Sequence, residues 1–169
     1  MMKKLLLLLV CVNVFLFSCQ EKASSPKSEL LEIIKKLRTD EDHEFLMTLR
    51  PTDSDLYEIF RDSMYTERAI EYSNKVWNGI DKIPANALGP VNEDDIPVAV
   101  SATQDQLLEW SQTDLSMDYI MLCEFLKADV VIYGMQYVDK KGMGTKSRGA
   151  FFRVDEKWIF VPQLFRAFL

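Results

Sequence analysis

Histidine occurs once in this 169-residue chain, at position 43, and cysteine only at 11, 19 and 123. A Ser-His-Asp or Cys-His catalytic site would therefore have to use His43. That residue sits in a charged helix start between Asp42 and Glu44, where a solvated role is expected. One histidine and so few thiols also fall short of a usual zinc site. Positive charge is in deficit: 20 Lys and Arg stand against 26 Asp and Glu, for a net −6. That balance argues against nucleic acid as a partner. Glycine is scarce, with six residues in all. The stretch Gly142-Met143-Gly144-Thr145-Lys146-Ser147 ends like a phosphate-binding loop, but Thr145 precedes the lysine where glycine is required. It also lies between two expected strands, so no helix N-terminus faces a phosphate. No cofactor is expected. No apolar run reaches the roughly 20 residues that a membrane helix needs.

One shorter apolar run is present. Lys3 and Lys4 precede Leu5 to Phe17, uninterrupted except by Asn13, and Leu16-Phe17-Ser18-Cys19 follows. A positive start, an apolar middle and a small residue before a cut describe a secretory leader. A thiol immediately after the cut can carry diacylglycerol. Cys11 fails the same test, because bulky Val10 precedes it and the run ahead of it is short. This leader resembles the lipobox of bacterial lipoproteins. The resemblance implies a signal peptide over 1–18 and lipidation of Cys19, including palmitate-type acyl chains, with residence in the cell envelope. Gln20, where Asp would retain the protein at the inner membrane, implies the outer membrane or cell surface. Residues 19–27, with Ser24, Ser25 and Pro26, are expected to form the lipidated cysteine and a flexible tether. Residues 28–169 then make a single α+β domain of ordinary size. Loss of Lys3 and Lys4 with the leader leaves it two charges more acidic. With Cys11 removed and Cys19 acylated, Cys123 has no intrachain partner and packing must stabilise the domain.

Helical signals fill the chain to about residue 80. Ser28 is the expected cap of a helix whose stripe is Leu30, Leu31, Ile33, Ile34 and Leu37. Asp40, Glu41 and Asp42 precede a second apolar group, and Thr52 or Asp53 opens a third helix after Pro51. Residues 65–78 continue the pattern. Gly79, Pro84, Gly89 and Pro90 mark residues 79–96 as a loop. A short strand is expected at 96–100, a capping box at Thr103–Gln106 and a helix at 117–127. The last third turns to β-branched and aromatic residues. It predicts strands over 129–138, 148–154 and 157–161, with a tight turn at Asp155-Glu156. Three such strands form an antiparallel meander, with N-terminal helices packed on one face.

Chemistry-bearing groups are few. Asp53-Ser54-Asp55 begins like a calcium loop, but Glu58 stands where the turn glycine belongs. No metal site is expected, and Glu93, Asp94 and Asp95 are taken as a solvated loop. Carboxylate pairs such as Glu67/Glu71 and Asp105/Glu109 have no evident cleft, so no catalytic residue is named. Cys123 lies among apolar neighbours as a small hydrophobe would. Lys140, Lys141, Lys146 and Arg148 form the basic patch of an acidic chain, a candidate for ligand or anion contact. The ending Phe152–Val161, with a charged turn ahead of a tryptophan-bearing strand, resembles the last hairpin of NTF2-like (cystatin-like α+β) domains. That resemblance implies a concave sheet with an apolar pocket and assigns no catalytic residue.

The expected function is non-catalytic binding by a lipid-anchored envelope domain, in which an acidic face docks a protein partner. The alternative is a small apolar ligand held in an NTF2-like pocket by Tyr133, Tyr137 and Trp158. A carboxylate-based envelope enzyme is the third reading.

Overall fold

The computed structural model describes residues 24–84, 87–90, 92–109, 114–144 and 148–169, with Arg148 described in its backbone alone. The leader, Cys19 and Lys146 lie outside the described residues. Helix α1 spans Pro26–Leu37 and is capped by Ser25, whose hydroxyl accepts the Ser28 N–H at 3.3 Å. Ser28 is therefore not the cap, and Pro26 and Lys27 of the expected tether are helical. The reason is Pro26 at the first helical position, where its fixed φ suits the helix and no N–H is missed. Leu30, Ile34 and Leu37 are its buried stripe.

Helix α2 is a single turn, Glu44–Met47. The Asp40 carboxylate satisfies its first amides, accepting from Phe45 at 2.9 Å and Leu46 at 2.7 Å. His43 precedes it in the left-handed region at φ 63. Its half-buried ring is pinned, with Nε2 donating to the Ile83 carbonyl at 2.8 Å, and is not the solvated group expected. Helix α3 (Asp53–Ile59) opens with a capping box of Thr52 and Asp55, and α4 (Ser63–Trp77) with Asp62 as cap. A second capping box, Thr103 and Gln106, starts α5 (Gln104–Leu108). The helix expected over 117–127 is a 3-10 helix, Met117–Glu124. Its buried Tyr119 and Leu122 stand three residues apart, the spacing that a 3-10 turn aligns on one side.

The sheet is a four-stranded antiparallel meander, in the order β1 (Ile96–Ala102), β2 (Ile132–Val138), β3 (Arg148–Val154) and β4 (Lys157–Phe160). The chain is thus α+β, with its helices first and its sheet mostly last. The β3–β4 turn places Asp155 at φ 45 and Glu156 at φ 66, the left-handed pair that matches the twist of a two-residue hairpin. Helix α1 packs on one sheet face, where Leu30 and Ile34 meet Met135, Tyr137, Phe151 and Phe160. The opposite face is covered as well: Leu56, Ile59, Leu107 and Leu122 pack against Ile132, Phe152 and Ile159. Burial on both faces explains why β2 carries so little alternation of polar residues. The outer edge of β4 is also closed, since Phe160 donates its N–H to the Leu49 carbonyl at 2.9 Å.

Between β2 and β3 the register slips: Tyr133 pairs with Phe151 while Met135 pairs with Arg148. The extra residue is accommodated at Gly149, whose φ of +73 belongs to a glycine bulge. The buried Tyr119 hydroxyl donates to the Gly149 carbonyl and ties the bulge to the 3-10 helix. No helix among the described residues is long and apolar enough to cross a membrane.

Candidate functional site

Phe151 is the last β3 residue to pair with β2; beyond it, Val131 and Arg153 no longer share a ladder. The two backbones part there and leave an open groove of about 440 Å³. Ile59 at the end of α3 closes it from below. That end is fixed in place because Lys127 donates to the Ile59 carbonyl at 2.9 Å and Arg61 to the Phe125 carbonyl at 3.0 Å. Ile59, Phe152 and Val154 supply a buried floor, with Val130, Val131 and Tyr133 half-buried beside them. The rim is acidic: Glu58, Asp129, Asp155 and Glu156 all line the groove and all are exposed. Lys127 reaches Glu58 at 3.3 Å. Among the described residues, no cation stands within ion-pair distance of Asp129, Asp155 or Glu156.

A second open groove, of about 410 Å³, runs along the outer side of α1, lined by Ser24, Ser28, Glu29, Glu32, Ile33, Lys36 and Trp158. Glu29 is its best-bonded member. Its carboxylate accepts from Trp158 Nε1 at 3.1 Å and from the Ser24 hydroxyl at 2.9 Å, and it faces Arg153 Nε at 3.2 Å. The Trp158 and Ser24 hydrogen bonds, aided by the Arg153 charge, hold the Glu29 carboxyl below its usual range. Asp55 is lowered too. Burial alone would raise it, but hydrogen bonds from Lys157 and from the Thr52 amide and hydroxyl outweigh that.

Both shifts have one consequence. A carboxyl whose folded pKa is depressed stabilises the fold above its unfolded pKa, near 4, and loses that contribution as pH falls through the folded value. The domain should therefore lose stability as pH drops below about 4. Replacing Asp55 by Asn should cost about 1 kcal/mol at pH 7, through the weakened cap, and flatten the acid limb of the curve. Urea melts of both proteins between pH 7 and pH 3 check this, and parallel curves would contradict it.

The residues singled out from the sequence lie elsewhere. Lys140 pairs with Asp94 at 2.7 Å, with both side chains largely exposed, and Lys141 is exposed. Asp139 organises that hairpin tip by accepting the Lys141 and Met143 amides, each at 2.8 Å. Neither groove is lined by Lys140 or Lys141. The side chains of Lys146 and Arg148 lie outside the described residues, and so does the lipidation site, Cys19. Of the aromatics expected around a ligand, Tyr137 is buried and donates to the Leu88 carbonyl at 3.1 Å. Trp158 is 9% exposed, with Tyr133 edge-on to it at 5.0 Å, and only Tyr133 opens onto the larger groove. Cys123 is buried, and that burial pushes its thiol pKa up, away from reactivity. Glu67, Glu71, Asp105 and Glu109 line neither groove.

Sequence reasoning names Tyr133 and Trp158 but does not find the acidic rim. Glu58, Asp129 and Asp155 come from three distant segments, and no local pattern marks them as neighbours. The one available signal is the Asp155-Glu156 turn, which the sequence does locate. Comparison with protein-family models, with curated proteins and with solved structures found no match.

Proposed function

We propose that this is a lipid-anchored envelope domain that docks a basic segment of a protein partner in the groove beside the β3–β4 hairpin. The observation that carries this reading is an open, apolar-floored groove whose rim holds three carboxylates without cationic partners among the described residues. Such a rim is complementary to Lys or Arg and orients a basic segment over the apolar floor. The net negative charge, −6 for the full chain and two units more without Lys3 and Lys4, steers a basic partner toward it. The small-ligand reading has less support, because buried side chains cover both faces of the sheet. Catalysis is not part of the proposal.

Lipidation of Cys19 would place this site close to the bilayer. Pro26 lines the groove, and the five residue steps from Cys19 to Ser24 extend at most about 18 Å. The partner would then be another envelope component. The test is a photo-cross-linker at Val131, in the wild-type chain and in one carrying Asp129→Lys, Asp155→Lys and Glu156→Lys. The wild-type chain should capture a protein, and the reversed chain should lose it.

A further inference from the structure

The two grooves are neighbours: no residue lines both, but lining residues of one touch lining residues of the other. Arg153 lines the acidic groove and its Nε lies 3.2 Å from Glu29 Oε2, in the lining of the other. Tyr133 of the first meets Trp158 of the second at 5.0 Å between ring centroids, edge to face. Pro26, in the first, sits in sequence between Ser24 and Ser28 of the second. The chemistry changes from one to the other. On one side are Asp129, Asp155 and Glu156; on the other, Ile33 and Trp158 stand beside Glu29, Glu32 and Lys36.

We infer that the grooves are two halves of one track for an extended peptide segment with cationic residues at one end and apolar residues at the other. This rests on the docking function proposed above and specifies the chemistry of the partner. The cationic end lies along the carboxylate rim. The chain then passes over the Glu29–Arg153 pair, where Arg153 is already neutralised and does not repel it. An apolar side chain settles against Ile33 and Trp158. Extended backbone suits the path, because successive side chains alternate and every second one can face the track. Apolar burial in the second half supplies affinity, while charge in the first supplies orientation and on-rate.

Three peptides test the track against the protein purified with its anchor in detergent: six residues of Lys and Ser, six of Val and Ser, and the twelve-residue fusion. The Trp158 indole N–H resonance reports the second groove, because that group bonds Glu29. The fusion should bind at least tenfold tighter than the Lys/Ser half and shift this resonance, which the Lys/Ser half alone leaves in place. Ser28→Tyr, which fills the second groove from an exposed position, should remove the tenfold gain and leave Lys/Ser binding unchanged. Equal affinities for the fusion and the Lys/Ser half, with the indole unmoved, would overturn the track while leaving docking in the acidic groove intact. Failure of the Lys/Ser peptide to bind would overturn the docking proposal itself.

Discussion

Replacing Gly149 by Ala is expected to destabilise the domain by about 3 kcal/mol or more, a large part of a typical folding free energy. Two costs combine. The residue sits at φ +73, where a side chain is strained. A Cβ there would also lie 2.0 Å from Phe160 Cε2 and 2.8 Å from its Cζ. Phe160 cannot swing aside. It stacks on Phe151 at 4.4 Å, meets Trp77 edge-on at 6.5 Å, and its amide is held by Leu49. The bulge cannot retreat either, since Tyr119 holds the Gly149 carbonyl. Gly142 is the control. Its φ is +79, but nothing lies within 4 Å of the position a methyl group would take there. Gly142→Ala therefore carries the backbone cost alone, about 1 kcal/mol. Thermal melts should put the Gly149 variant roughly 10 °C below wild type, with the Gly142 variant only a few degrees lower. Similar losses for both would show that the Phe160 contact is not what holds the bulge.

Replacing Cys19 by Ser is expected to abolish acylation outright. Metabolic labelling with radioactive palmitate should drop to background, and the protein should leave the membrane pellet. The magnitude follows from the proposed anchor: two or more acyl chains hold a protein stably at a bilayer, whereas one chain binds only reversibly. Without them, an acidic chain gains nothing from anionic headgroups. Cys11→Ser should leave labelling and fractionation untouched. Circular dichroism of both variants checks that the domain remains folded. Persistent labelling of the Cys19 variant, or loss of labelling in the Cys11 variant, would overturn the lipoprotein assignment.

Legibility in the sequence follows the range of the interactions. The Thr103/Gln106 capping box is a local device and starts its helix where the spacing places it, and of the two openings expected for the third helix Thr52 is the cap, boxed with Asp55. The Asp155-Glu156 turn and the β2–β3–β4 meander are legible for the same reason. What escapes depends on tertiary context. Ser25 outranks Ser28 as cap because Pro26 is pre-set for the first turn, a choice among three nearby serines. Residues 117–124 wind as a 3-10 helix whose Tyr119 bonds the Gly149 carbonyl, a partner distant in sequence. The groove is illegible because its rim is assembled from α3, the approach to β2 and the β3–β4 turn. An acidic chain offers many equivalent carboxylates, and only the fold selects these. Glu29 is likewise one acid of a helix first turn until the fold brings Trp158 and Arg153 to it.

The most direct test of docking is the photo-cross-linker at Val131, used in cells at native expression. The wild-type chain should give a discrete protein adduct that weakens as ionic strength rises, because exposed charges are screened. The triple reversal at Asp129, Asp155 and Glu156 should lose that adduct at unchanged protein level and membrane attachment. An adduct of undiminished yield in the reversed chain would contradict docking through the acidic groove.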